Sequence, residues 1–202
     1  MFSRRQHEQR SDRQSELDLY RDALQGSGEA MSALYRRHGP LVYRFTLRMS
    51  QNPSVAEEVT QEVFLALLRQ PERFNPQRAE LSTWLCGIAR NQLSRHLERN
   101  QRFVPLESED EVFDMESPDD DPADCLTRKE AIEAVRQGLE ELSIPLREVI
   151  VLCELEELTY EQTSLILAIP VGTVRSRLHR AKVRLARLLR PVVVNTDKER
   201  LR

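Results

Sequence analysis

Between Glu107 and Asp124 the chain carries ten carboxylates and no lysine or arginine. Pro105 precedes this run and Pro118 and Pro122 interrupt it, and such a segment cannot bury enough apolar surface to offset the entropy of ordering it. It therefore splits the 202 residues into two blocks, each needing its own core. Charge follows the same division. Residues 1–106 hold 16 basic and 12 acidic side chains, residues 125–202 hold 14 and 11, and the formal net charge of -3 conceals both excesses. Two mildly basic modules on a flexible acidic connector suit surfaces that face nucleic acid. The expectation is two compact lobes held apart by that connector.

Apolar residues recur at three and four positions nearly everywhere outside the connector, and glycine is rare, so the chain is read as all-helical. Residues 1–14 lack any such period and read as a solvated tail. A short helix through Leu17, Tyr20 and Leu24 ends at Gly26-Ser27-Gly28. The next carries Met31, Leu34, Leu41, Val42, Phe45 and Met49, with a bend expected at Gly39-Pro40. Asn52-Pro53-Ser54 then starts a helix whose Val55, Val59, Val63, Ala66 and Leu67 form one stripe, ended by Pro71. After the loop 74–80, a helix from about Ser82 turns Leu85, Ile88, Ala89, Leu93 and Leu97 inward and Arg90, Asn91, Arg95 and Arg99 outward.

The second block opens with a T-x-x-E capping box, Thr127 to Glu130, followed by Ile132, Val135, Leu139 and Leu142. Pro145 begins a helix running to about Leu155. Thr159 to Gln162 forms a second capping box for a short helix over 160–167, and a turn through Ala168-Ile169-Pro170 leads into a long helix from Val171 to Leu189.

Several classes of function are excluded by what is missing. No run of eighteen uncharged apolar residues exists, so membrane insertion is not expected, and the polar first residues do not resemble a secretory signal. The location expected is cytoplasmic. Cys86, Cys125 and Cys153 are too scattered for a disulfide framework or a zinc site and read as reduced thiols. With no glycine-rich phosphate loop, HExxH or nucleophile elbow, and with His7, His38, His96 and His179 dispersed, no catalytic residue, metal or cofactor is expected.

A short helix, a tight turn and a long helix make the layout of a helix-turn-helix, whose second helix enters the major groove. On a helical wheel Val174, Leu178, Ala181, Leu185 and Leu188 share one stripe, and Ser176, His179, Arg180, Val183 and Arg187 lie opposite, with Arg175 and Lys182 flanking. From Thr173 to Arg190 there are seven lysines and arginines and no acid. A basic face can be merely solvated, but arginine here is suited to guanine edges and serine or histidine to other edges and phosphates.

These residues have a family likeness. Leu158-Thr-Tyr-Glu-Gln with Ile169-Pro-Val-Gly-Thr-Val-Arg-Ser-Arg-Leu-His-Arg-Ala-Lys resembles region four of extracytoplasmic-function (ECF) sigma factors. Ala56-Glu-Glu-Val-Thr-Gln-Glu-Val-Phe-Leu and Ser82-Thr-Trp-Leu-Cys-Gly-Ile-Ala-Arg-Asn resemble their region two. The resemblance implies a region two domain over 15–102, a linker over 103–125, a region four domain over 126–190 and a tail over 191–202. It implies a non-enzymatic subunit that binds core RNA polymerase and directs it to promoter DNA. Thr173, Arg175, Ser176, Arg177, His179, Arg180 and Lys182 would read the minus-thirty-five duplex. Phe74, Asn75, Arg78, Trp84, Arg90, Asn91 and Arg95 would hold the melting minus-ten element, although Phe74 and Trp84 equally suit a core. Glu58, Gln61, Glu62 and Leu65 would meet the β′ clamp helices, region four the β flap, and an anti-sigma factor would be the inhibitor.

Three positions depart from the family pattern. Ala168 stands where the turn usually has glycine, Ser164 replaces a common alanine, and Leu165 occupies a usually polar site. A stand-alone helix-turn-helix regulator would use residues 126–190 in the same way but leaves the first block without a role.

Overall fold

The computed structural model describes the backbone of residues 15–100 and 128–199, with side chains over 15–96 and 131–189. The 1–14 tail, the acidic linker with Cys125, the Thr127 cap, the side chains of Leu97, Arg99 and Arg190, and residues 200–202 lie outside that range. The described elements are helical: α1 (15–24), α2 (Gly28–Ser50), α3 (Pro53–Arg69), α4 (Leu81–Asn100), α5 (Arg128–Glu140), α6 (Ile144–Ile150), α7 (Tyr160–Leu167) and α8 (Val171–Glu199). A single 3-10 turn, Pro71–Arg73, follows α3, and a widened turn, Val151–Leu155, follows α6.

Local chemistry sets the boundaries of the first lobe. Gly26 adopts φ +95 after α1, and the Ser27 hydroxyl then accepts from the Ala30 amide, 3.2 Å, to cap α2. Asn52 Oδ1 accepts from the Ser54 and Val55 amides, 2.9 and 3.3 Å, while Pro53 occupies the first turn of α3, where no N–H is required. Leu34, Val42 and Phe45 of α2, Val63 and Leu67 of α3, and Leu81 and Leu85 of α4 are fully buried and form one core. Thr46 enters this core because its hydroxyl donates to the Val42 carbonyl, 2.9 Å.

The second lobe packs α5 and α6 against α8, with α7 across them. Val149, Leu152 and Val174 are fully buried, joined by Leu139, Leu146, Ile166, Leu178 and Ala181. Gly138 allows the close crossing of α5 over α8, since a Cβ there would lie 2.6 Å from Leu185 Cδ1.

Four expectations need correction. α2 runs unbroken through Pro40, and α8 continues past Leu189 through Pro191 to Glu199. Proline disturbs only the turn before it, so it weakens a helix without always ending it. The helix expected from Pro145 to Leu155 closes instead with the widened turn, in which the Glu156 amide donates to the Val151 carbonyl five residues back, 2.9 Å. Finally, the lobes are not held apart: α7 packs on α4, and the widened turn packs on α2.

Candidate nucleic-acid and polymerase interfaces

The helix-turn-helix is built on two caps. Thr159 Oγ1 accepts from the Gln162 amide, 3.1 Å, and Gln162 Oε1 accepts from the Thr159 amide, 2.9 Å, completing the capping box. At the other end of α7, Ala168 takes the left-handed conformation, φ 54 and ψ 42, and its amide donates to the Ser164 carbonyl. Ser164 is more than a small spacer, because its hydroxyl donates to the Ile169 carbonyl and ties the turn to the helix. Leu165 is 56% exposed.

This turn aims α8 with Val174, Leu178 and Ala181 buried beneath it and Leu185 and Leu188 packed against the same core. Arg175, Ser176, His179 and Arg180 are exposed, and Thr173 and Arg177 are half-buried beside them. The Arg175 guanidinium sits 5.7 Å from the centre of the Tyr160 ring, a cation–π contact that leaves its N–H edges directed outward. Ser176 donates to the Thr173 carbonyl, 3.1 Å. Lys182 stands apart from this group: its ammonium is 2.9 Å from Glu154, at the rim of an apolar groove lined by Val135, Leu139, Ile150, Leu155 and Leu185. One helical position beyond the exposed face is enough to turn a side chain toward the neighbouring element.

In the first lobe the aromatic group is core-like at its centre. Phe74 is buried, with the Tyr20 ring 5.2 Å away edge-on and the half-buried Trp84 ring 5.3 Å away. Tyr20 donates to the Pro71 carbonyl, 3.2 Å. The loop above is shaped by Asn75, whose Oδ1 accepts from the Gln77 amide, 2.9 Å, and whose carbonyl accepts from the Arg78 and Ala79 amides. Phe74 thus supports the loop from below, while Asn75, Arg78, Asn91 and Arg95 are exposed. Arg90 is half-buried, and its Nε donates to Glu148 Oε1 of α6, 2.8 Å.

On α3, Glu58 and Gln61 are exposed, Glu62 is half-buried 3.9 Å from Arg69, and Leu65 is 39% exposed. Leu68, also exposed at 40%, extends this apolar flank one turn further. Its place three residues after Leu65 was the available signal for it. The described cysteines are free thiols: burial pushes Cys86 up to about 12, and burial also raises Cys153 despite the Thr163 hydroxyl 3.4 Å away.

The faces that pack the lobes together are polar. Arg44 donates to Glu156 Oε2 from Nη2, 2.8 Å, and from Nε, 3.0 Å, while Arg48 donates to Glu156 Oε1. Gln162 donates to Glu80, 2.9 Å, and Arg147, whose burial lowers its pKa, donates to the Met49 carbonyl, 3.4 Å. Sequence reasoning attached no role to Arg44, Arg48, Glu148 or Glu156.

Comparison with known proteins agrees with this division. Residues 34–103 match the Sigma-70 region 2 model and residues 132–185 the Sigma-70 region 4 model. The chain is 31% identical over 174 residues to the RNA polymerase sigma factor CarQ of Myxococcus xanthus, covering 86% of this chain and 95% of CarQ. It is 32% identical over 153 residues to the ECF sigma factor SigE of Mycolicibacterium smegmatis, covering 75% of this chain but only 58% of SigE. The sigma factor RpoE of Bartonella quintana, solved in complex with the anti-sigma factor NepR, superposes with TM-score 0.61 and 26% identity over 79% of this chain and 96% of RpoE. An all-helical pair of lobes carrying regions 2 and 4, with relatives of this length and order, places the chain in the ECF RNA polymerase sigma factors, non-enzymatic subunits that direct promoter recognition and transcription initiation.

Proposed function

We propose that α8 reads the minus-thirty-five element as duplex DNA through Arg175, Ser176, His179 and Arg180, with Thr173 and Arg177 at its margin and Lys182 reaching phosphate only after leaving Glu154. The observation that carries this reading is the exposed face of α8, free of acidic residues along its first five turns and backed by a buried stripe. Arginine in that setting makes bidentate contacts to guanine in the major groove. Asn75, Arg78, Trp84, Arg90, Asn91 and Arg95 of the first lobe take the minus-ten strand as it melts, the cations following phosphates and Trp84 offering a stacking face. Phe74 contributes by holding that loop in place.

Glu58, Gln61, Glu62 and Leu65, with Leu68, meet the clamp helices of the polymerase β′ subunit, and the apolar groove beside α5 accepts the β flap. The factor works in the cytoplasm under an anti-sigma factor, a partner class supported by the RpoE complex. Run-off transcription with purified core polymerase on a genomic fragment library tests the whole reading. Discrete promoter-dependent transcripts are expected, and Gln61→Ala with Glu62→Ala should weaken retention on core enzyme. Undiminished retention would remove the α3 assignment alone, whereas the absence of any transcript would remove the reading.

A further inference from the structure

Arg44 and Arg48 lie one turn apart on α2 and repel each other, so this face of the first lobe requires an anion. The structure supplies one from the other end of the chain: the Glu156 side chain is 0% exposed and bonds both guanidiniums. Glu148, 6% exposed, does the same for Arg90. Both carboxylates come from the α6 segment, and the widened turn after α6 inserts an extra residue immediately before Glu156. Around the turn, Arg48 also donates to the Leu155 carbonyl, 3.5 Å, and Gln162 of α7 reaches Glu80 at the edge of the aromatic loop. A carboxylate fully removed from water is favourable only while its cations remain in place, so this contact is strong when closed and has no half-formed state.

We propose that Glu148 and Glu156 form an internal latch, by which region 4 closes over the Arg44, Arg48 and Arg90 face of region 2 and withholds it from single-stranded DNA. The carboxylates stand where strand phosphates would otherwise go. Opening the lobes exposes three guanidiniums on one face, two from α2 and one from α4. That α4 contacts the minus-ten strand rests on the function proposed above; the latch itself rests on the ion pairs.

Full-length wild type and the Glu148→Gln, Glu156→Gln double variant would be compared by small-angle scattering and by anisotropy of a fluorescein-labelled single-stranded oligonucleotide pool of random sequence. The variant should show a larger radius of gyration and roughly tenfold tighter oligonucleotide binding, because each glutamine leaves cations without their counter-charge. Adding Arg44→Ala, Arg48→Ala and Arg90→Ala should abolish the gain. An unchanged radius of gyration would overturn the latch. An open variant without tighter binding would keep the latch and reject the strand-binding role of this face. Should the double variant lose helicity by circular dichroism, a lock decides instead: Glu80→Cys and Gln162→Cys in a background without native cysteines, joined by a short bismaleimide. The joined chain should bind the oligonucleotides at least several-fold more weakly than the same unjoined chain, and equal binding would overturn the proposal.

Discussion

The two helices assigned to DNA are presented in opposite ways. On α8 the polar face is open: Arg175, Ser176, His179 and Arg180 are exposed over a buried stripe belonging to their own lobe. On α4, Arg90 is half-buried and bonded to a carboxylate of the other lobe, leaving only Asn91 and Arg95 in the open. The difference matches the substrates. Base edges in a duplex groove are always available, so their reader can be finished in advance. A melted strand exists only inside the initiation complex, and an open cationic face waiting for it would collect any polyanion non-specifically. One surface is thus organised by the core beneath it and the other by a partner lobe.

The largest effect should come from attacking the core under α8. Leu178→Ala removes a side chain only 4% exposed and should cost about 2–5 kcal/mol. Urea titration of the full chain measures it, and a loss below that range would mean that the recognition face does not depend on this stripe. Arg175→Ala and Arg180→Ala should each lower use of the minus-thirty-five element by about 1–3 kcal/mol, roughly five- to 150-fold, in reconstituted transcription. The same templates should show Asn91→Ala and Arg95→Ala acting on strand opening. If all four variants gave one identical defect, the contrast between a duplex reader and a strand reader would fail. Thr159→Ala removes the capping hydroxyl of α7 and should cost about 1 kcal/mol in thermal unfolding, an effect confined to the region 4 lobe.

Features set by neighbouring residues were legible in the sequence, and features set by distant ones were not. The Thr159–Gln162 capping box and the buried stripe of α8 each need only a few consecutive positions, and the structure reproduces both. The widened turn was invisible because Val149, Ile150, Leu152, Cys153 and Leu155 satisfy ordinary helical spacing, and one added residue in a turn leaves no apolar signature. Glu156 and Glu148 read as solvated acids because their arginines are 112 and 58 residues away. Phe74 lies in a loop without periodicity, so its packing against Tyr20 and Trp84 could not be separated from exposure beside DNA. Lys182 belonged to a basic run, yet its partner Glu154 is on another element.

The smallest predicted effect separates the lobes by how they stop a helix. Both α2 and α7 end on a non-glycine residue in the left-handed region, Gln51 with φ 54 and Ala168 with φ 54. The conformation strains any residue with a Cβ by about 1–2 kcal/mol, while glycine there loses some of the advantage through its greater freedom in the unfolded chain. Gln51 has compensation, because its Nε2 donates to the Arg48 carbonyl, 3.0 Å, and its Oε1 accepts from Arg136 at 3.4 Å. Ala168 is exposed, and its methyl group has no hydrogen bond to lose. Ala168→Gly should therefore stabilise the chain by about 0.5–1 kcal/mol, whereas Gln51→Gly should be neutral or destabilising. Equal gains from both substitutions in paired thermal unfolding would show that the Gln51 side-chain bonds contribute nothing to that cap. A loss at Ala168 would mean that the Ser164 hydroxyl, by holding the Ile169 carbonyl, already relieves the turn of its strain.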